Sequence, residues 1–289
     1  MTYFLTLVSS ASPLTENNLS AALRFIDGAG AVTWLERGKA ANIQLLKRPD
    51  ALQMRELREY FTADKIDVFI VPAANRRKKL LIADMDSTMI VGETLDDLAA
   101  RAGVGERVAA ITARAMNGEL DFKAALRERV ALLKGQPESL LIDQRAAMEL
   151  MGGAATLVKT MCDAGAPCIL VSGGFTFFTE AAATMAGFTH HHGNILDTQG
   201  GFLTGTVSDP ILDKTAKLDF LNHYVREFGL TPDDVLALGD GANDLPMLQA
   251  AGLGIGFHPK PVVAETLDHC ILHGDLTAAL YAQGFSGIE

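Results

Sequence analysis

The sequence predicts an α/β protein: a Rossmann-like parallel sheet with a helical cap insert, preceded by a small ferredoxin-like α+β unit. Three observations predict it. The first 74 residues read strand, helix, strand, strand, helix, strand, the order of a ferredoxin-like unit. From Leu80 onward, apolar runs of strand type alternate with amphipathic helical stretches, as in a parallel sheet. Between the first two of those strands the chain is helical throughout, so an all-helical insert leaves the sheet at a strand end. The expected units are 1–74 and 75–289, the latter with its core at about 79–92 and 150–289 and its cap at about 93–149.

In the first unit, Tyr3–Val8 reads as a strand and Glu16–Asp27 as an amphipathic helix. Val32–Leu35 and the alternating Ala41–Leu46 follow as strands. Ala51–Phe61 is a helix with Leu52, Leu57 and Tyr60 near helical spacing, and Asp67–Val71 is the fourth strand. Trp34 reads as a core or interface residue. The basic run Arg76-Arg77-Lys78-Lys79 reads as a solvated linker, which would leave residues 75–289 able to fold alone.

The stretch from Leu80 to Thr94 organises the rest. The apolar strand Leu80–Ala83 runs into Asp84-Met85-Asp86-Ser87-Thr88. Two acids spaced by two can start on one side of a strand, and so close together they call for a hard divalent cation such as Mg²⁺. A strand end followed by a helix cap would instead leave them solvated. The stretch alone admits both readings.

Leu95–Ala102, Glu106–Asn117, Phe122–Leu133 and Pro137–Asp143 are the expected insert helices, forming a lid that carries Arg127 and Arg129. After the helix Ala154–Ala164, the strand Pro167–Val171 ends in Ser172-Gly173-Gly174 before the helix Phe175–Ala186. Strand, Ser-Gly-Gly and helix make either an anion site of backbone N–H groups or a tight turn that needs glycine. His190-His191-His192 reads as a solvent-exposed hairpin edge, and 201–207 as short antiparallel strands. Lys214 and Lys217 open the helix Lys214–Phe228, where cations oppose the helix dipole unless an anion is bound. The strand Val235–Gly239 ends in Asp240-Gly241-Ala242-Asn243-Asp244. Gly254–Phe257, His269–Leu272 and the helix Leu276–Ala282 close the chain. Ligands of parallel sheets gather outside the carboxyl ends of the strands, so these polar groups can converge.

Composition narrows the partners. The chain has 289 residues, 48% hydrophobic and 21% charged, with a net charge of −10, which argues against nucleic acid. No apolar run is long enough to span a bilayer, and Met1-Thr2-Tyr3-Phe4 lacks the positive flank of a signal peptide. Cys162, Cys168 and Cys270 lack metal spacing and fit a reducing compartment. The expectation is a cytoplasmic protein whose partner is a small molecule, with neither nucleic acid nor membrane.

Asp84-Met85-Asp86-Ser87-Thr88, Val171-Ser172-Gly173-Gly174, Lys217 and Gly239–Asp244 resemble the four motifs of the haloacid dehalogenase superfamily. Within it, Ile90–Thr94, Ala115-Met116-Asn117-Gly118 and Phe122–Val130 resemble the phosphoserine phosphatases. The N-terminal order resembles the ACT-like domains, but the turn Ser9–Leu14 lacks the glycine usual at their amino-acid site, which favours a structural or dimerising unit.

The resemblance implies a phosphatase that needs one Mg²⁺ ion and hydrolyses O-phospho-L-serine through an aspartyl-phosphate, the last step of serine biosynthesis. Asp84 is then the nucleophile and Asp86 the acid–base. Asp84, Asp86 and Asp240 would hold the metal. Ser172, Gly173 and Lys217 would hold phosphate, Asn243 would contact substrate or phosphate, and Glu93 and Arg129 would meet the ammonium and carboxylate. Asp244 would support Lys217 or a metal-bound water, while Met116 and Phe122 line the apolar rim. Other phosphate esters, transfer to another alcohol and a non-catalytic amino-acid sensor are the alternatives. A dehalogenase is disfavoured, because Asp86 serves an oxygen leaving group.

Overall fold

Two open sheets and a small ribbon carry the chain. The structure, a computed structural model, describes every residue except Asp27, Asn117, Gly118 and Glu289, and also leaves out the side chains of Met116 and Lys214. The first unit comprises β1 (Tyr3–Ser9), α1 (Glu16–Ala22), β2 (Ala29–Glu36), β3 (Ala40–Leu45), α2 (Ala51–Thr62) and β4 (Ile66–Pro72). Its sheet is antiparallel in the order β2-β3-β1-β4, as expected of a ferredoxin-like unit.

Thr15 and Asp50 start the two helices with reciprocal capping boxes. α1 ends at Ala22, short of the expected Asp27, because Arg24 and Phe25 tighten to bonds with the carbonyls of Ala21 and Ala22. On α2 the buried face is Met54, Leu57 and Phe61, so the expected Leu52 and Tyr60 are exposed. Trp34 packs against this unit's core and donates to Glu16.

The larger sheet has the order β12-β11-β10-β5-β6-β7, parallel throughout. Its strands are β5 (Leu80–Ala83), β6 (Cys168–Phe175), β7 (His190–Asn194), β10 (Val235–Gly239), β11 (Leu253–Phe257) and β12 (Cys270–Ile271). Between β5 and β6 stand the cap helices α3 (Thr94–Arg101), α4 (Gly105–Met116), α5 (Phe122–Ala131) and α6 (Ser139–Ala146), then α7 (Ala154–Asp163). α8 (Thr176–Ala186), the ribbon β8 (Leu196–Gln199) with β9 (Phe202–Val207), and α9 (Lys214–Glu227) lead to β10. α10 (Leu245–Ala250), α11 (Pro261–Thr266) and α12 (Ala278–Ala282) complete the fold. Strands such as Val235-Leu236-Ala237-Leu238-Gly239 are buried on both faces, which is why they read as continuous apolar runs.

The basic run is only half solvated: Arg77 and Lys79 are exposed, whereas Arg76 and Lys78 are held. Arg76 donates to Thr6 (2.8 Å) and Asn42 (2.7 Å) of the first sheet and to the Ala282 carbonyl (3.0 Å) of α12, with its guanidinium over the Phe4 ring. Lys78 is buried and donates from Nζ to the Asp233 carbonyl at 2.7 Å. Across the same boundary the buried Asp67 carboxylate accepts the N–H groups of Leu272, His273 and Gly274. Val8, Ala40, Phe69 and Val71 share one apolar cluster with Leu276, Ala278 and Tyr281. Removing residues 1–74 would bare that face, with Tyr281 now only 1% exposed.

The histidine run also differs from expectation. It lies in β7, pairs in parallel with β6, and is not a hairpin edge. His190 is exposed, whereas the His192 ring stacks on Phe220 at 3.9 Å between centroids, and its Nε2 meets the Tyr224 hydroxyl at 2.7 Å. Burial lowers its pKa to about 4, and burial likewise brings that of His269 to about 4.

A histidine kept neutral in the fold binds fewer protons than the unfolded chain between about pH 4 and pH 6.5, so its contribution is full above 6.5 and lost as pH falls. Desolvation raises the carboxyls of Asp84, Asp86 and the half-exposed Glu93, which act in the opposite sense. The test is therefore a difference. In urea melts, His269→Gln should lose less stability than wild type from pH 6.5 to 4.5, and parallel curves would contradict the assignment.

Candidate active site

β10, β5 and β6 are neighbours, so three polar strand ends lie side by side. Asp84 follows β5, its N–H donating to the Leu238 carbonyl of β10 at 3.0 Å. The chain then closes a tight loop, in which the Met85 carbonyl accepts Met89 and Ile90, and Ser87 at φ +54° donates its N–H to Gly92. The loop turns Asp86 back toward α3, where Asp86 Oδ1 accepts the Thr94 N–H at 2.8 Å. Ser172 Oγ donates to Asp86 Oδ2 at 3.3 Å and accepts the Gly174 N–H at 2.8 Å. Gly174 lies in β6, where the ladder with β7 is irregular between Val171 and Phe175, and a β-carbon there would stand a tight 3.2 Å from Asp86 Oδ2.

Lys217 reaches in from α9, nearly fully buried. Its ammonium lies 2.7 Å from Asp84 Oδ1 and also bonds Asp244, whose side chain is inaccessible. Asp244 Oδ2 accepts the N–H groups of Asp240 (3.2 Å) and Gly241 (3.0 Å), fixing the turn after β10. Gly239 is indispensable there, since a β-carbon would approach Asp244 Cγ to 2.5 Å. The lysine that opposes the dipole of α9 thus has two protein carboxylates as its anions.

Carboxylate oxygens of Asp84, Asp240 and Asp244 lie within 4.8 Å of one another. Three buried acids face one buried ammonium, a deficit of positive charge. Burial, and then Asp244, push the Asp84 carboxyl well above the usual range against the pull of Lys217. Burial would lower the Lys217 pKa, but Asp84 and Asp244 reverse it and hold the ammonium charged. An all-oxygen donor set with surplus negative charge fits a hard divalent cation such as Mg²⁺.

The cap supplies the mouth. Glu93 precedes α3 and accepts a hydrogen bond from Ser87 Oγ at 2.9 Å. Burial, then Asp86, raise its pKa, with Ser87 and Lys260 opposing. Arg129 on α5 is half-buried, and among the described residues its side chain's only hydrogen bond is Nε to the Ala125 carbonyl. Burial lowers its pKa, while Asp96 and Glu93 nearby raise it. Phe122 lies over Gly173, its ring 3.1 Å from where a β-carbon would stand. Asn243 is exposed, with its side-chain oxygen folded against Gly241 in the turn after β10. The side chain of Met116, and Asn117 and Gly118 after it, lie outside the described residues.

Sequence reasoning missed three participants. Thr94 holds Asp86 through its backbone, so its side chain gives no signal. Ser87 was legible only as a helix cap. Lys260 pairs with Asp240 at 3.1 Å and lies 4.0 Å from Glu93. Its signal is a lysine between two prolines just past a parallel strand.

The model of the haloacid dehalogenase-like hydrolase family matches residues 81–249, from β5 through α10. The chain is a haloacid dehalogenase-like hydrolase. This hydrolase is 40% identical to the phosphoserine phosphatase of Archaeoglobus fulgidus over 78% of its own length and 67% of that protein's. It is 44% identical to that of Streptococcus thermophilus, over 69% of its own length and 93% of the relative's. Among solved structures it resembles a haloacid dehalogenase family hydrolase, t0658, from Salmonella enterica, with a TM-score of 0.87 and 27% identity over 97% of this chain and 98% of that one. Against several other curated phosphoserine phosphatases the hydrolase spans about half to two thirds of their length. Among its described residues no helix is long and apolar enough to cross a membrane.

Proposed function

We propose that this hydrolase cleaves O-phospho-L-serine to serine and inorganic phosphate, the last step of serine biosynthesis. The observation that carries the reading is a pair of opposite charges at one mouth. Glu93, bonded to Ser87 in the loop after β5, and the sparsely bonded Arg129 of α5 lie close enough to feel each other's charge. Phosphoserine carries an ammonium and a carboxylate next to its phosphoryl group, and relatives named phosphoserine phosphatase support the match.

In this reading Asp84 attacks phosphorus, forming an O–P bond as the bond to the serine oxygen breaks. Asp86 gives its proton to the departing oxygen, which is too basic to leave unaided, and then takes one from the water that hydrolyses the aspartyl-phosphate. Lys217, Ser172 Oγ and the Gly173 N–H hold the phosphoryl oxygens, Asp244 keeps Lys217 in place, and Asn243 meets the substrate from the rim. A Mg²⁺ ion held by Asp84, the Asp86 main-chain carbonyl and Asp240 would neutralise the repulsion between these acids and the phosphate dianion. Phe122, over Gly173, excludes water when the cap closes.

The three thiols support a reducing, cytoplasmic setting. The exposed edge strand β2 supports a homodimer formed through the N-terminal unit. The partner is the phosphate ester, with no nucleic acid.

The test is Arg129→Ala. It should cost roughly 2–5 kcal/mol in kcat/KM for phosphoserine, the usual cost of removing one partner of a desolvated charge pair. Phosphoethanolamine, which has no carboxylate, should be almost unaffected, and Glu93→Gln should weaken both esters. An unchanged ratio between the two esters in Arg129→Ala would reduce the reading to a general small-molecule phosphatase.

A further inference from the structure

Lys260 belongs to none of the motifs that the mechanism uses, yet it faces the site from its mouth. It sits between Pro259 and Pro261, at the N-cap of α11, and its N–H donates to the Asp240 carbonyl at 2.9 Å. Two prolines and that bond fix the backbone, and a β-carbon on Gly256 would already touch Pro259, so the side chain starts from a rigid base. Its ammonium lies 3.1 Å from Asp240 and 4.0 Å from Glu93, with about half of its side chain exposed. Asp240 is on the core and Glu93 on the cap, so one cation spans the two. Among the described residues, the other group that bonds the Glu93 carboxylate is the neutral hydroxyl of Ser87.

We propose that Lys260 is a specificity-determining positioning residue, an internal stand-in for the substrate's ammonium at Glu93. The proposal rests on the phosphoserine reading. With the site empty, or holding an ester that lacks an amine, Lys260 neutralises Glu93. An ester that brings its own ammonium must take Glu93 over and tolerate a second cation beside it. Lys260 therefore narrows the enzyme's preference for amine-bearing esters. Removing it should sharpen that preference, since an amine-less ester would leave Glu93 uncompensated.

The experiment compares phosphoserine with glycerate 3-phosphate, the same ester with a hydroxyl in place of the amine, used as a competitive inhibitor. KM and kcat for the first and Ki for the second are measured for wild type, Lys260→Met, Lys260→Gln and Lys260→Arg. The ratio of Ki to KM should rise about two- to five-fold in the Met and Gln variants, the worth of a half-exposed ion pair. The Arg variant should restore it. An unchanged ratio, a shift the other way, or an equal loss for both ligands overturns the proposal, and the last of these would leave Lys260 as a support for Asp240 alone. A wild-type enzyme that does not hydrolyse phosphoserine overturns the substrate reading instead, and shows this before any variant is compared.

Discussion

Replacing Asp84 by Asn is expected to lower turnover by on the order of 10⁴-fold or more, as loss of a nucleophile does elsewhere, and to leave no covalent phosphate on the protein. The amide keeps the size of the side chain and can still accept the Met85 N–H that Asp84 Oδ1 takes at 2.8 Å. Lys217 keeps Asp244 as its charged partner, so the buried cluster stays compensated and the fold should hold. Acid quench during turnover followed by peptide mapping checks this. Wild type should carry phosphate on the peptide holding Asp84, and the variant none. Phosphate trapped on another aspartate in the variant would overturn the nucleophile assignment.

Asp86→Asn should slow both formation and breakdown of the phospho-enzyme by roughly 10²–10⁴-fold, the usual worth of a positioned acid–base. Burial holds the Asp86 carboxyl above its ordinary range, so it keeps a proton to higher pH, as a donor to a leaving oxygen must. Its two oxygens are already oriented by Thr94 and Ser172. An aryl phosphate, whose leaving group needs no proton, should recover most of the first step and none of the second. Equal loss of the first step on serine and aryl esters, seen in single-turnover kinetics, would remove the acid role.

Much of this was legible because the chemistry sits where strands end. Asp84, Ser172 and Asp240 each close an apolar run, and a parallel sheet gathers such ends by its own topology. Apart from the family resemblance, Lys217 was legible only as a misfit, a cation in the first turns of a helix. That it would be buried between Asp84 and Asp244 depended on how α9 packs. The basic run at 76–79 was misread because composition shows charge but not acceptors. The acceptors are carbonyls at Asp233 and Ala282 and side chains at Thr6 and Asn42, brought close only by the fold. Lys260 escaped for the same reason, as its partners Asp240 and Glu93 lie on separate segments.

The central claim is that one mouth reads both charges of phosphoserine while the strand ends below it transfer the phosphoryl group. Phosphate release from phosphoserine, phosphothreonine, phosphoethanolamine and glycerate 3-phosphate, with Mg²⁺ and after its removal by chelation, tests that claim most directly. The account predicts that phosphoserine has the highest kcat/KM of the four and that chelation abolishes release until Mg²⁺ is restored. Equal rates across the four esters, or release from phosphoserine that survives chelation, would contradict it.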